Sequence, residues 1–92
     1  MYQLIFTPAY EKRLKKFLKK HPEIKKQYAK TMKLMEINPF HSSLRIHPLS
    51  GKLKQLHSIS INISYRISIE FIVDDKTIIP VNIGTHDEVY KN

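Results

Sequence analysis

The sequence contains no cysteine. A disulfide framework and a thiolate metal site are therefore excluded, and a reducing compartment is allowed. Glycine is almost as scarce: Gly51 and Gly84 are the whole supply, so there is no glycine-rich loop to cradle a nucleotide phosphate. No apolar run approaches the roughly 20 residues that a membrane span needs. Residues 1–6 lack a basic start and a small-residue cleavage site, so no signal peptide is expected. No internal repeat, low-complexity tract or linker-like segment interrupts the chain. Acidic residues are few, 8 against 16 Lys plus Arg, for a formal net charge of +8. These absences leave one small domain over residues 1–92, expected in the cytoplasm, with an anion rather than a membrane as its partner.

What is present is a near-average globular composition, 41% hydrophobic and 26% charged, too apolar for a disordered chain. The basic excess is uneven. Lys12, Arg13, Lys15, Lys16, Lys19, Lys20, Lys25, Lys26, Lys30 and Lys33 fall in one window, opposed there by Glu23 alone. Residues 1–6 form a short apolar strand. Thr7-Pro8 reads as an N-cap followed by proline at the first helical position. Tyr10, Leu14, Phe17 and Leu18 then share one helix face. His21-Pro22 breaks that helix, because a residue before proline is pushed out of the helical region. A second helix over residues 22–37 buries Ile24, Tyr28, Thr31, Met32 and Met35, and Asn38-Pro39 ends it. The lysines of this hairpin face outward.

The remainder reads as β. From residue 57 to 71 odd positions are apolar, apart from His57, and even positions are polar, the signature of strands with one buried and one wet face. The run is too long for one ordinary strand, so a turn is expected near residues 62–64. Unbroken odd-numbered burial then requires an odd loop length or a compensating bulge. Asp74-Asp75 marks the next turn, residues 77–83 the last long strand, and residues 85–92 a short polar tail. The order β-α-α-β-β-β-β is expected to fold as an α+β domain, with two helices on one face of a small twisted antiparallel sheet. Arg66 is placed by parity on the opposite, helix-free face.

Catalytic motifs of the commoner kinds are missing. There is no His-Glu-x-x-His, and His21, His41, His47, His57 and His86 show no metal-ligand spacing, so neither a metal nor a cofactor is expected. No nucleophile-elbow pattern supports a serine hydrolase. Two segments carry more interest. Residues 44–54 place Arg45, His47, Lys52 and Lys54 around a tight turn. Residues 83–90 place His86 just past Gly84 at a strand end, with Tyr90 four residues on. Taken alone, the first is an ordinary polar loop and the second a terminal tail with a surface histidine.

Leu49-x-Gly51-x-Leu53-Lys54, then Tyr65-Arg66-Ile67, then Ile83-Gly84-x-His86-Asp87-x-Val89-Tyr90, resemble the RelE/ParE superfamily of bacterial toxins, and within it the YafQ-like and RelE-like mRNA interferases. The opening strand and basic helix hairpin are similar too, so the resemblance spans nearly the whole chain. It implies an endoribonuclease of a type II toxin–antitoxin system that cuts mRNA in the ribosomal A site without a metal ion. It also implies a cognate antitoxin as partner. Residue by residue, it implies that His86 is the C-terminal catalytic histidine, with Tyr90 the following aromatic. Arg66 matches the central-strand arginine and His47 the histidine of the loop before the glycine turn, while Lys52 and Lys54 match phosphate-binding or catalytic lysines. A further His and Asp of YafQ-like proteins are replaced here by Ser60 and Ser64.

On this reading His86 is the general acid, His47 the general base, Arg66 the phosphate clamp with Arg45, Lys52 and Lys54 adding charge, and Tyr90 a stacking or phosphate-orienting group. Lys15, Lys16, Lys19 and Lys20 are expected to dock ribosomal RNA. Two other functions fit the same composition: a ParE-like toxin that poisons gyrase without nuclease activity, and a nucleic-acid-binding module without catalysis. The His86 segment weighs against both.

Overall fold

A computed structural model describes residues 1–90. Strand β1 (Gln3–Leu4) leads into helix α1 (Pro8–Lys20). Thr7 caps this helix as its sequence predicts, its hydroxyl accepting the Tyr10 N–H at 3.1 Å, with Pro8 in the first turn. The helix stops at His21, where proline follows. One turn of 3-10 helix, Pro22–Ile24, then continues into α2 (Lys25–Ile37). Tyr10 and Phe17 on α1 pack against Tyr28, Met32 and Met35 on α2 in one core. The Tyr10 and Tyr28 hydroxyls share a buried hydrogen bond of 2.9 Å across the hairpin.

The chain returns through a 3-10 turn at Ser42–Leu44 into β2 (His47–Pro48). A second 3-10 turn at Gly51–Leu53 precedes β3 (Leu56–Ser60), β4 (Tyr65–Ile72) and β5 (Thr77–Thr85). The sheet order is β1-β5-β4-β3-β2. The expected α+β class and two-helix layer are present. Four strands run antiparallel, and β1 adds to β5 in parallel, making the sheet mixed. A parallel edge follows from the helix hairpin, which carries the chain away from β1 and returns it to the far edge of the sheet.

The β3–β4 register obeys the parity argument. Ile59 faces Ile67 and Ser60 faces Arg66, and the Ile61 N–H closes onto the Tyr65 carbonyl at 3.0 Å. Three residues, Asn62 to Ser64, thus form an odd-length loop. Between β4 and β5 a bulge follows Ser68↔Asn82, because Ile69 pairs with Pro80 and Val81 is extra. Proline is tolerated in a strand at such a point. The carbonyl of Val81 accepts Arg13 Nη1 at 2.9 Å, tying α1 to the bulge.

Two expectations are corrected. The polar face of the sheet is not open along its length: Ser58, Ser60 and Ser68 are buried there, at 0%, 9% and 1% exposure. The tail is also not a tail. Strand β5 runs on to Thr85, and residues His86–Tyr90 form helix α3, whose Val89 is buried. Serines leave little bulk above the strands, so neighbouring chain can settle close over them. The last two residues of the expected tail, 91 and 92, lie outside the described residues. Among the described residues, no helix is long and apolar enough to cross a membrane.

Candidate active site

The site is built on the serine face. Residues paired across a sheet share a face, so the pairings His47↔Ser58, Ser58↔Ser68 and Ser68↔Asn82 align one row across four strands. Ser60, Arg66 and Gly84 form the next row. Helix α3 reaches this face, since the Tyr90 hydroxyl is hydrogen-bonded to His47 Nε2. The Tyr90 ring also stacks on His86, with centroids 3.9 Å apart and planes inclined by 20°. Three of the residues singled out in the sequence, His47, His86 and Tyr90, are therefore assembled around one phenol.

The hydrogen bonds of His47 define its tautomer. Its Nδ1 lies 2.9 Å from the Arg45 carbonyl, which can only accept, so Nδ1 carries the proton. In the neutral imidazole Nε2 is then an acceptor and takes the Tyr90 O–H. Arg45 itself adopts a left-handed backbone, φ 49, at the end of the Ser42–Leu44 turn; its side chain is exposed. His86 is exposed, and its Nδ1 is 3.5 Å from Asp87 Oδ1.

Arg66 is half-buried on the same face. Its Nη1 donates to the Asn62 carbonyl at 2.8 Å, to Ser60 Oγ at 3.1 Å and to the Tyr65 carbonyl at 3.5 Å. One nitrogen of the guanidinium is thus committed to the β3–β4 turn, which holds the side chain at a defined height. Ser60 Oγ in turn donates to the Asn62 carbonyl at 2.9 Å, and Ser64 is an exposed turn residue. Lys52 and Lys54 are exposed in and just after the turn that begins at Gly51, where φ is 64. Lys15, Lys16, Lys19 and Lys20 are exposed on α1.

The residues that hold α3 in place were not singled out in the sequence. Thr85 and Glu88 form a reciprocal capping box: the Thr85 N–H donates to Glu88 Oε1 at 2.8 Å, and the Glu88 N–H to Thr85 Oγ1 at 3.3 Å. The Thr-x-x-Glu spacing before Val89 and Tyr90 was the available signal. Gly84 makes room for this box, because a Cβ there would lie 2.8 Å from Glu88 Oε1 and 3.0 Å from Glu88 Cβ. Asn82 Nδ2 adds a bond to the Glu88 carbonyl at 3.4 Å. The Thr85 N–H is the main reason the Glu88 carboxyl sits below its ordinary pKa. The Thr85 hydroxyl, Lys20 and His21 act in the same direction, against the effect of burial. Among the described residues Ser58 Oγ is buried without a hydrogen-bond partner, directly across from His47.

The remaining histidines are used elsewhere. His41 Nδ1 accepts the Ser43 N–H at 3.2 Å, His21 Nδ1 lies 3.2 Å from the Tyr65 hydroxyl, and His57 packs edge-on against Phe71. Among the described residues no three His, Cys, Asp or Glu side chains are placed to hold a metal ion.

No family model matches the chain. A relative in Methanocaldococcus jannaschii, named "Putative toxin RelE4", is 32% identical over 93 residues, spanning 99% of this chain and 93% of its own length. The crystal structure of YafQ from E. coli superposes with a TM-score of 0.77 at 16% identity, covering 98% of this chain and 99% of that one. YafQ in the E. coli DinJ–YafQ toxin–antitoxin complex gives 0.75 at 19% identity, covering 97% of each chain. The structural likeness establishes a shared fold, and the near full-length sequence relationship adds kinship. With its β-α-α-β-β-β-β-α order and this near full-length relative, the chain belongs to the RelE toxin family and shares its fold with YafQ.

Proposed function

We propose that this toxin is an mRNA endoribonuclease acting at the ribosome, silenced by a cognate antitoxin. The observation that carries the proposal is the assembly of His47, Tyr90 and His86 on the sheet face that also bears Arg66. RNA supplies the nucleophile, its 2′-hydroxyl. Its attack on the adjacent phosphorus needs a base for the 2′ proton, an acid for the departing 5′-oxygen, and cations for the phosphate charge.

The arrangement provides these roles without a further group. Tyr90 oxygen receives the 2′ proton while passing its own to His47 Nε2, which is aligned to accept it. His86, beside the same phenol, donates a proton to the 5′-oxygen. The P–O5′ bond breaks as the P–O2′ bond forms, leaving a 2′,3′-cyclic phosphate and a 5′-hydroxyl. The Arg45 carbonyl stabilises the cationic His47 through Nδ1–H. Arg66 clamps the phosphate with its remaining N–H groups, and Arg45, Lys52 and Lys54 add positive charge. A positioned acid or base contributes about 10²–10⁴ in rate, and each preorganised donor lost costs about 10²–10³. This acid–base set favours the nuclease over a gyrase-poisoning toxin of the same fold, which needs no such groups.

The test is cleavage of mRNA on purified ribosomes. His86→Ala, His47→Ala and Arg66→Ala are each expected to lose at least 10²-fold, with cyclic phosphate at the wild-type product ends. Wild-type rates in both His86→Ala and Arg66→Ala overturn the proposal, and loss of gyrase supercoiling in place of RNA cleavage redirects it. The antitoxin is expected to be acidic, to complement a net charge of +8. Growth arrest on induction, relieved by co-expression of the adjacent small gene, is the corresponding cellular result.

A further inference from the structure

The basic residues of α1 are not equivalent once folded. Arg13, Lys16 and Lys20 recur along one stripe of the helix and line a cleft of about 230 Å³ between α1 and the β5–α3 segment. The opposite wall carries Asn82 and Glu88, and Phe17 and Ile83 form an apolar floor. Lys12, Lys15 and Lys19 do not line it. Arg13 is fixed by its Nη1 bond to the Val81 carbonyl, which leaves its other N–H groups to serve an anion. Arg13, Lys16 and Lys20 here meet one carboxylate, with His21 also on the lining, and that carboxylate is already engaged by the Thr85 N–H. The cleft lies at the β5 edge of the sheet: Asn82 ends the row that begins at His47 three strands away, and Glu88 lies on α3 two residues from both His86 and Tyr90, a spacing that turns it to the other side of that helix.

We propose that this cleft is a second phosphate subsite, gripping a phosphodiester of the substrate RNA strand where it runs round the β5 edge from the scissile bond. The inference rests on the nuclease reading for the identity of the strand. It divides the α1 cations into a substrate-facing stripe, with Lys16 and Lys20, and an outer stripe, with Lys15 and Lys19, left for ribosomal RNA.

The experiment measures binding of a fully 2′-O-methylated single-stranded RNA, which has no 2′-hydroxyl to attack, across a salt series. Two charge-matched variants are compared: Arg13→Gln/Lys16→Gln/Lys20→Gln and Lys12→Gln/Lys15→Gln/Lys19→Gln. Because Arg13 also ties α1 to the bulge, Lys16→Gln/Lys20→Gln is measured beside them. The cleft triple is expected to bind at least tenfold more weakly at low salt, with a log–log salt slope shallower by about 0.7, as one lost single-strand phosphate contact requires. The outer triple is expected to change the slope by less than half as much, and the cleft double by about two thirds of the triple's change. Equal losses in both triples, or no loss in the cleft variants, overturn the subsite. RNA that binds through the cleft but is never cleaved on ribosomes when its 2′-hydroxyls are restored overturns the nuclease reading alone. Cleavage with unchanged binding in the cleft variants overturns the subsite alone.

Discussion

Tyr90 touches both histidines of the site, by a hydrogen bond to one and a ring stack on the other. Tyr90→Phe keeps the stack and removes the hydroxyl. Single-turnover cleavage is expected to slow by at least tenfold with an unchanged melting temperature, and an unchanged rate would remove the phenol from the proton path. Gly84 has a quieter part. Its α-carbon lies beneath Glu88, so Gly84→Ala forces the carboxylate out of the capping box. Loss of such a cap costs about 0.5–2 kcal/mol. Chemical denaturation should show a loss in that range, together with weaker hydrogen-exchange protection of the Thr85 and Glu88 amides; wild-type protection would show that the box closes by another route.

At the scale of elements, the helix hairpin is held by a buried pair of phenols. Burial pushes Tyr28 up to about 12, against the lowering effect of its bond to Tyr10. Burial, and then the proximity of Tyr28, pushes Tyr10 higher still. Both pKa values are raised in the folded state relative to an unfolded value near 10. Their contribution is thus complete below about pH 10 and is lost as pH climbs through the folded values. The Tyr10→Phe/Tyr28→Phe variant removes that titration, so the stability gap between wild type and variant should shift in the variant's favour from pH 9 to pH 11. A gap constant over that range would contradict the buried-pair assignment. The single Tyr10→Phe change strands the Tyr28 hydroxyl and should cost about 1–3 kcal/mol at pH 7, read as a drop in the denaturation midpoint.

These elements also show what could be read in advance. Thr7-Pro8, His21-Pro22 and Asn38-Pro39 punctuate the helices through proline's fixed φ and its effect on the preceding residue, both local properties. The odd loop at Asn62–Ser64 followed from side-chain alternation alone. The parallel pairing of β1 did not, because residues 3–4 and 77–78 meet only through a long crossover. Helix α3 leaves little trace in the sequence for a different reason: five residues show too little periodicity to register, and only the Thr85-x-x-Glu88 capping box marks them.

Over the whole molecule, charge separates into two surfaces. The outer lysines Lys15 and Lys19 are exposed and stand clear of the α1–α3 cleft. Lys15→Gln/Lys19→Gln should therefore weaken association with the ribosome, flattening its salt slope by about 1.5, while leaving binding of a short uncleavable RNA nearly unchanged. The reverse pattern would exchange the roles of the two stripes.

Residue types along the chain were enough to define the α+β class and the basic hairpin, because periodicity, backbone restriction and charge act between near neighbours, whereas the roles of His47, Arg66, His86 and Tyr90 were implied only by the resemblance to known toxins. Folding alone decided that His47 and Tyr90, 43 positions apart, share a hydrogen bond. It also decided that Arg66 leans on its own turn, that Ser58, Ser60 and Ser68 are buried, and that Arg13, Lys16 and Lys20 open onto one cleft. Those relations depend on where strands cross and which face a returning segment covers, and no spacing within a single element records that.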